Sequence, residues 1–208
     1  MKKLIRFLLI IILILSLLII YARYGGTRGL ITKEYQIETT IDDSFDGLKI
    51  VHFSDLHYLR ITNKETTQSI IEEINLLNPD IVVFTGDLID KDYKPNDKDI
   101  SNLKELLTSI KSKYGKYSVL GEHDIKVEDT IKDIYISSNF TLLDNSYDVI
   151  YGNNNNKLFI GGLNNNPDID KVMNYFTENE DINYKIILVH EPDYTDTITS
   201  KYNNINLV

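Results

Sequence analysis

Residues 48–57 read Leu-Lys-Ile-Val-His-Phe-Ser-Asp-Leu-His, an apolar run that stops abruptly in polar side chains. Bounded by Gly47 and Ser54, LKIVHF predicts a buried strand over Leu48–Phe53, with the polar cluster at its carboxyl end. The arrangement recurs three times. DIVVFT at 80–85 leads into Gly86-Asp87-Leu88-Ile89-Asp90, YSVL at 117–120 into Gly121-Glu122-His123-Asp124, and IILV at 186–189 into His190-Glu191-Pro192-Asp193. Of the 4 histidines, His57, His123 and His190 fall in these clusters, while His52 lies within the first strand and reads as structural. In open α/β sheets, ligand-binding side chains collect at the carboxyl ends of strands, where loops converge on a crevice.

Helical spacing separates the strands. Asn63–Leu77 places Ile70, Ile71, Ile74 and Leu77 on one face and ends at Asn78-Pro79; Ile100–Ile110 does the same with Leu103, Leu106, Leu107 and Ile110. A further helix is expected over Ile169–Phe176. Weaker strands are expected at Tyr35–Thr39 (an edge strand), Thr141–Leu143 and Leu158–Ile160, and another begins at Ile205–Val208. No internal repeat is visible. Alternation of this kind predicts a layered α/β domain with helices outside a sheet.

The chain has 208 residues, 42% hydrophobic and 25% charged, enough to bury one sizeable core. With 0 cysteines, disulfides, thiolate zinc sites and cysteine nucleophiles are excluded. A net charge of −9 argues against nonspecific nucleic-acid binding, and no nucleic-acid partner is expected. An acidic chain that handles a phosphorylated substrate needs cations to admit the anion, which points to metal. The run Asn153–Asn156 reads as loop filler.

Phe7–Ile20 reads FLLIIILILSLLII, with Ser16 as its only polar side chain. Extended to Leu4 and Tyr24, it spans about 30 Å as a helix, the thickness of a bilayer core. Arg6 can snorkel, and Tyr21 and Tyr24 suit the opposite interface. No small-X-small cleavage pattern follows, so the segment reads as an uncleaved single-pass anchor in the cell membrane. Lys2, Lys3 and Arg6 before it balance Arg23, Arg28 and Lys33 after it. The short head and free amino group favour a cytoplasmic N-terminus and an outward-facing domain. The expected division is an anchor at 1–24, a linker at 25–33 containing Gly25, Gly26 and Gly29, and a catalytic domain at 34–208.

Mixed carboxylate and imidazole donors suit manganese, iron or zinc rather than calcium. Two close cations can clamp the attacking and leaving oxygens of a phosphoryl transfer. The order Asp-X-His, Gly-Asp, Gly-X-His-Asp and a lone His after a strand resembles the calcineurin-like metallophosphoesterases. GLKIVHFSDLHYL, with the anchor before it, is similar to the bacterial membrane-associated branch; the resemblance covers Ile37–Val208. It implies a four-layer α/β/β/α sandwich and two divalent metal ions (Mn, Fe or Zn). By the same resemblance, Asp55 and His57 would hold the first metal, Asp87 would bridge both, and Glu122 and His190 would hold the second. His123 would be the catalytic histidine that contacts the phosphate. The substrate implied is a phosphate mono- or diester at the membrane, such as a lipid- or nucleotide-linked envelope phosphoester.

Two departures qualify this. Glu122 stands where the family has Asn, adding a charge and a methylene and losing an amide donor. The family's closing Gly-His-X-His would follow INLV at 205–208, where the sequence stops, so the resemblance implies a domain incomplete at its C-terminus. A non-catalytic, membrane-tethered remnant or binding module is the alternative. Asp55 and Asp124 could instead cap the helices after them, which is the expectation for Asp124, and Asp90 and Asp193 read as turn or cap residues. A flavodoxin-like nucleotide-binding protein is excluded by the lack of a Gly-rich loop after the first strand.

Overall fold

The computed structural model describes residues 2–24, 29–174, 182 and 184–208, the side chains of 23 and 24 excepted. The chain divides into two units, Met1–Ile37 and Glu38–Val208. In the first, α1 (Lys2–Tyr24) is one unbroken helix, about 34 Å long at 1.5 Å per residue. Its Leu and Ile side chains are exposed, and the linker glycines Gly25 and Gly26 lie outside the described residues. No strand forms at Tyr35–Thr39, where residues 29–42 carry no regular element. Tyr35 and Ile37 are both exposed, so the weak alternation there has no core to face.

The second unit holds two sheets. β1 (Ile50–Phe53), β2 (Ile81–Phe84), β3 (Gly115–Ser118) and β4 (Phe140–Leu142) are all parallel, in the order β1-β2-β3-β4. β5 (Ser146–Tyr151) runs antiparallel to β6 (Lys157–Gly162), which is parallel to β7 (Tyr184–Leu188). Beyond β7, the strand expected at Ile205–Val208 is present as one parallel bridge between Ile186 and Leu207.

The two-residue period of each strand assigns the layers. In β2, Val82 and Phe84 face a core shared with α2 (Lys64–Leu76), α3 (Asp97–Thr108) and α4 (Glu128–Ser137), whose contributions include Ile71, Leu103, Leu107, Ile131 and Ile134. Ile81 and Val83 face the other way and meet Ile150, Leu158, Ile160 and Ile186 of the second sheet. The alternate residues of that sheet, Phe159 and Ile187, pack on Val172 and Met173 of α5 (Ile169–Met173) and Ile198 of α6 (Tyr194–Lys201). The result is the α/β/β/α sandwich. Helix starts follow local chemistry: Asn63 accepts the Thr66 N–H at 2.8 Å, and Asn96 with Asp99 forms a capping box.

Among the described residues, β5 and α6 stand where the sequence reading places no element, and α4 is the helix expected after Asp124, to which the reading gives no bounds. The predicted helix at Ile169–Phe176 is helical through Met173, and its last two residues lie outside the described set.

One buried charge sits oddly in this core. Lys116 on β3 is 6% exposed, donates Nζ to the Leu107 carbonyl at 2.9 Å and lies over the Phe140 ring. Burial pulls its ammonium down to about 8 from 10.5. Below pH 8 the lysine is charged in both folded and unfolded chains, and the folded state bears the full desolvation cost. Between 8 and 10.5 the unfolded chain binds more protons, so this group adds stability as pH rises through that window. In a chain beginning at Glu38, Lys116→Met should raise the urea midpoint at pH 7 and flatten the rise between pH 8 and 10. An unchanged pH slope in the variant would show that Lys116 is not the titrating group.

Candidate metal centre

The first three clusters are drawn together by backbone geometry. Asp55, His57 and Asp87 adopt left-handed conformations, with φ of 54°, 39° and 60°. For non-glycine residues such backbone is costly, about 1 kcal/mol or more each, and persists only where surrounding bonds hold it. Here the loop after β1 lies against the loop after β2: Asp55 N–H donates to Gly86 O at 3.0 Å, His57 N–H to Asp87 O at 3.0 Å, and Tyr58 N–H to Leu88 O at 2.9 Å.

Gly86 and Gly121 let the loop after β3 join them. A Cβ on Gly86, at φ 102°, would lie 2.3 Å from Gly121 N, and one on Gly121 would lie 2.1 Å from Asp87 Oδ1. That close approach accounts for a glycine immediately before Asp87 and another before Glu122.

Asp124 locks the junction. Fully buried, its carboxylate accepts from Asp87 N at 2.9 Å, Leu88 N at 2.9 Å, Ile89 N at 3.4 Å and Gly121 N at 3.0 Å. Burial pushes the carboxyl up to about 6, and these N–H donors oppose the shift by favouring the charged form. The expectation that Asp124 caps the following helix is corrected: its side chain reaches the β2 loop instead.

Asp87 is the hub. Its Oδ1 accepts the His123 N–H at 2.9 Å and lies 3.7 Å from His190 Nε2, while Oδ2 lies 3.5 Å from His57 Nε2. Two groups could each hold a cation, with donor atoms all within 4.8 Å of one another: His57, Asp87 and His123, and Asp55, Asp87 and His190. Asp87 belongs to both. His190 joins from β7 of the other sheet, its Nδ1 against Thr85 O at 2.8 Å, which makes Nδ1 the donor and leaves Nε2 free to ligate.

The donor set fits transition-metal ions, as do the rings' rear contacts. His57 turns Nε2 toward Asp87 and Asp55 (3.5 and 3.8 Å) and Nδ1 toward Asp90 Oδ2 at 3.5 Å. That Nδ1 is buried without a hydrogen-bond partner. A small inward shift on metal binding would complete a carboxylate–histidine–metal relay.

Asp90 is the residue that sequence reasoning missed. It does form the expected turn, accepting Asp92 N–H at 2.9 Å, but its Oδ2 also lies 3.3 Å from His123 Nδ1, beside His57. Arg60 Nη1 holds the other oxygen at 2.5 Å. The Asp92 N–H, and then the Arg60 guanidinium, keep this carboxyl below the usual carboxylate range.

Glu122 stands outside both groups. Its side chain is 56% exposed, and Oε1 lies 3.3 Å from His123 Nε2. Its carboxylate rests on the histidine. Donor atoms within 4.8 Å of one another bring Asp55 to His190 and His57 to His123 around Asp87, and His57 Nε2 also lies 3.8 Å from Asp55 Oδ1, the pair that the resemblance gives to the first metal. His52 lies apart, its Nε2 2.8 Å from Thr85 Oγ1.

A sequence profile described as "Calcineurin-like phosphoesterase" matches residues 48–208, which include the whole of this site. The chain belongs to that family. It is 32% identical over 182 residues to the uncharacterized metallophosphoesterase YkuE of Bacillus subtilis (strain 168), covering 83% of this chain and 61% of that protein. It is 36% identical over 78 residues to the UDP-2,3-diacylglucosamine pyrophosphatase LpxG of Chlamydia muridarum, covering 38% and 23% of the two chains. A transmembrane protein with metallophosphoesterase domain from Danio rerio is 33% identical over 89 residues, covering 43% and 20%. The chain thus spans 61% or less of the length of these relatives. A dinuclear metal centre is the family's common feature, and the histidine and aspartate groups sharing Asp87 could hold one.

Asp124→Asn would turn an amide N–H toward N–H donors and should lower stability by about 3 kcal/mol or more, since it breaks buried bonds to a charged acceptor. Urea unfolding of a chain beginning at Glu38 measures this. A loss under about 1 kcal/mol, the level of an ordinary surface change, would show that the Asp124 bonds do not hold the loops together.

Proposed function

We propose that this chain hydrolyses a phosphate mono- or diester at a two-metal centre built on Asp87, at the surface of a membrane. The supporting observation is the shared carboxylate: one oxygen of Asp87 lies 3.5 Å from His57 Nε2 and the other 3.7 Å from His190 Nε2. Divalent manganese, iron or zinc ions held through Asp87 would supply positive charge against the phosphate and a Lewis acid for its oxygens. Asp55, His57, Asp87 and His190 are the ligands in this reading, with Glu122 available from its exposed position to complete the second set.

His123 holds a proton toward the departing oxygen. Asp90 Oδ2, 3.3 Å from its Nδ1, fixes the ring, and Arg60 keeps Asp90 in place. Glu122 at Nε2 has to move aside for substrate, and its exposure permits this. The same contact favours the second reading, a non-catalytic membrane-tethered module in which Glu122 occupies the position a leaving group would take.

The membrane placement rests on α1, long and apolar enough to cross a bilayer, and on the name of the Danio rerio relative. In this reading the anchor is single-pass and the domain faces out of the cytoplasm. LpxG is named as a pyrophosphatase of a UDP-linked diacylated sugar, which supports a lipid- or nucleotide-linked phosphoester here.

Calorimetric titration with manganese should show two bound ions per chain. Asp87→Asn should abolish at least one of them and lower hydrolysis of bis(p-nitrophenyl) phosphate about 100-fold or more, because one residue serves both ions. Native stoichiometry with an inert diester would favour the binding-module reading, whereas full metal binding by the variant would remove the bridging role. Deleting residues 1–24 should move the protein from membranes to the soluble fraction. Retention after a carbonate wash would sink the anchor reading.

A further inference from the structure

Beside the centre lies a cleft of about 350 Å³ lined by Glu122, Asn165, Glu191, Asp193 and Tyr194. It adjoins the reacting position on two sides: Glu122 touches His123, and Glu191 directly follows His190. Its wall is firmly built. Asn165, with its amide nitrogen toward Leu120 O at 3.1 Å and its oxygen toward Glu122 N–H at 3.1 Å, ties the second sheet's loop to the β3 loop. Tyr194 donates its hydroxyl to the Asn165 carbonyl at 3.3 Å, so its ring stands as a fixed wall.

The chemistry of the lining is one-sided. Three of its five residues are carboxylates and none is a lysine or arginine. Among the described residues, neither Glu191 nor Asp193 pairs with any cation. Ionised carboxylates only accept hydrogen bonds, so an occupant has to bring donors. A second anionic group would face all three carboxylates at once, whereas a hydroxyl-bearing group could satisfy them and lay a ring or carbon face on Tyr194.

We infer that this cleft selects the substrate's second arm: a phosphodiester whose far substituent is uncharged and rich in hydroxyls, of glycosyl, nucleoside or glyceryl type. A terminal phosphate or carboxylate is excluded there. The inference deepens the proposed phosphoesterase reading and rests on it. Glu191 and Asp193 act here on specificity, and Glu122 contributes from the boundary between cleft and centre.

The test uses binding by the manganese-loaded full chain, with metal stoichiometry measured first. Two non-hydrolysed monoesters of methylphosphonic acid serve as probes, one with a glyceryl arm and one with a carboxyethyl arm, differing by one negative charge. The native chain should bind the glyceryl ester about tenfold more tightly, from the repulsion of one added charge. Glu191→Gln with Asp193→Asn should shrink that gap by about threefold or more, through tighter binding of the carboxyethyl ester, with manganese stoichiometry unchanged. Equal affinity for both esters, an unaltered gap in the variant, or manganese binding with neither ester bound would each overturn the cleft assignment and leave the metal centre standing. Absence of manganese binding would instead overturn the phosphoesterase reading itself, and the cleft's role with it.

Discussion

The site depends on one buried carboxylate that is a member of neither candidate cation group. Asp124 gathers three consecutive N–H groups of the β2 loop and the N–H of Gly121, and so fixes the β2 and β3 loops as one body. Asp87 takes its left-handed backbone within that body, and the β1 loop pairs with it in turn. An unpaired carboxylate at this depth would be strongly disfavoured; with four donors it becomes the clamp on which the ligand geometry hangs. The two glycines are the steric counterpart, since any side chain at either would push the loops apart.

Around this clamp, charge is arranged in two shells with different partners. The inner carboxylates, Asp55 and Asp87, face the Nε2 atoms of His57 and His190. Behind them Asp90 is neutralised by Arg60 and backbone N–H, so it can support two histidines without adding net repulsion. Among the described residues, Glu191 and Asp193 of the neighbouring cleft have no such partner. Cations at the centre would complete the inner shell, and the outer one is free to discriminate among substrates.

Much of this was legible in the sequence, for a physical reason. Buried parallel strands read as apolar runs, and the polar clusters that interrupt them sit where the sheet opens, so Asp55, His57, Asp87, His123 and His190 could be named together. What escaped was long-range or masked by polarity. β5 reads SYDVIY, with Asp148 on the face that meets the other sheet, where it accepts the Tyr117 hydroxyl at 3.0 Å; an acid on a core face hides the strand. Of α4 only the bounds escaped: Ile131, Ile134 and Tyr135 have helical spacing, but the helix starts soon after the β3 loop. Asp90 and Asp124 looked like turn and cap residues because local spacing cannot show partners 30 or more residues away. Glu122 could be recognised as a departure, while its resting place on His123 needed the folded chain.

The central claim is that one carboxylate, Asp87, joins two metal sites. Electron paramagnetic resonance of the protein loaded with manganese addresses it directly, because ions sharing a bridging ligand are magnetically coupled and isolated ions are not. The account predicts a coupled, dinuclear spectrum for the native chain and only the uncoupled signal of single ions in Asp87→Asn. An uncoupled spectrum from a native chain carrying two manganese ions would contradict it.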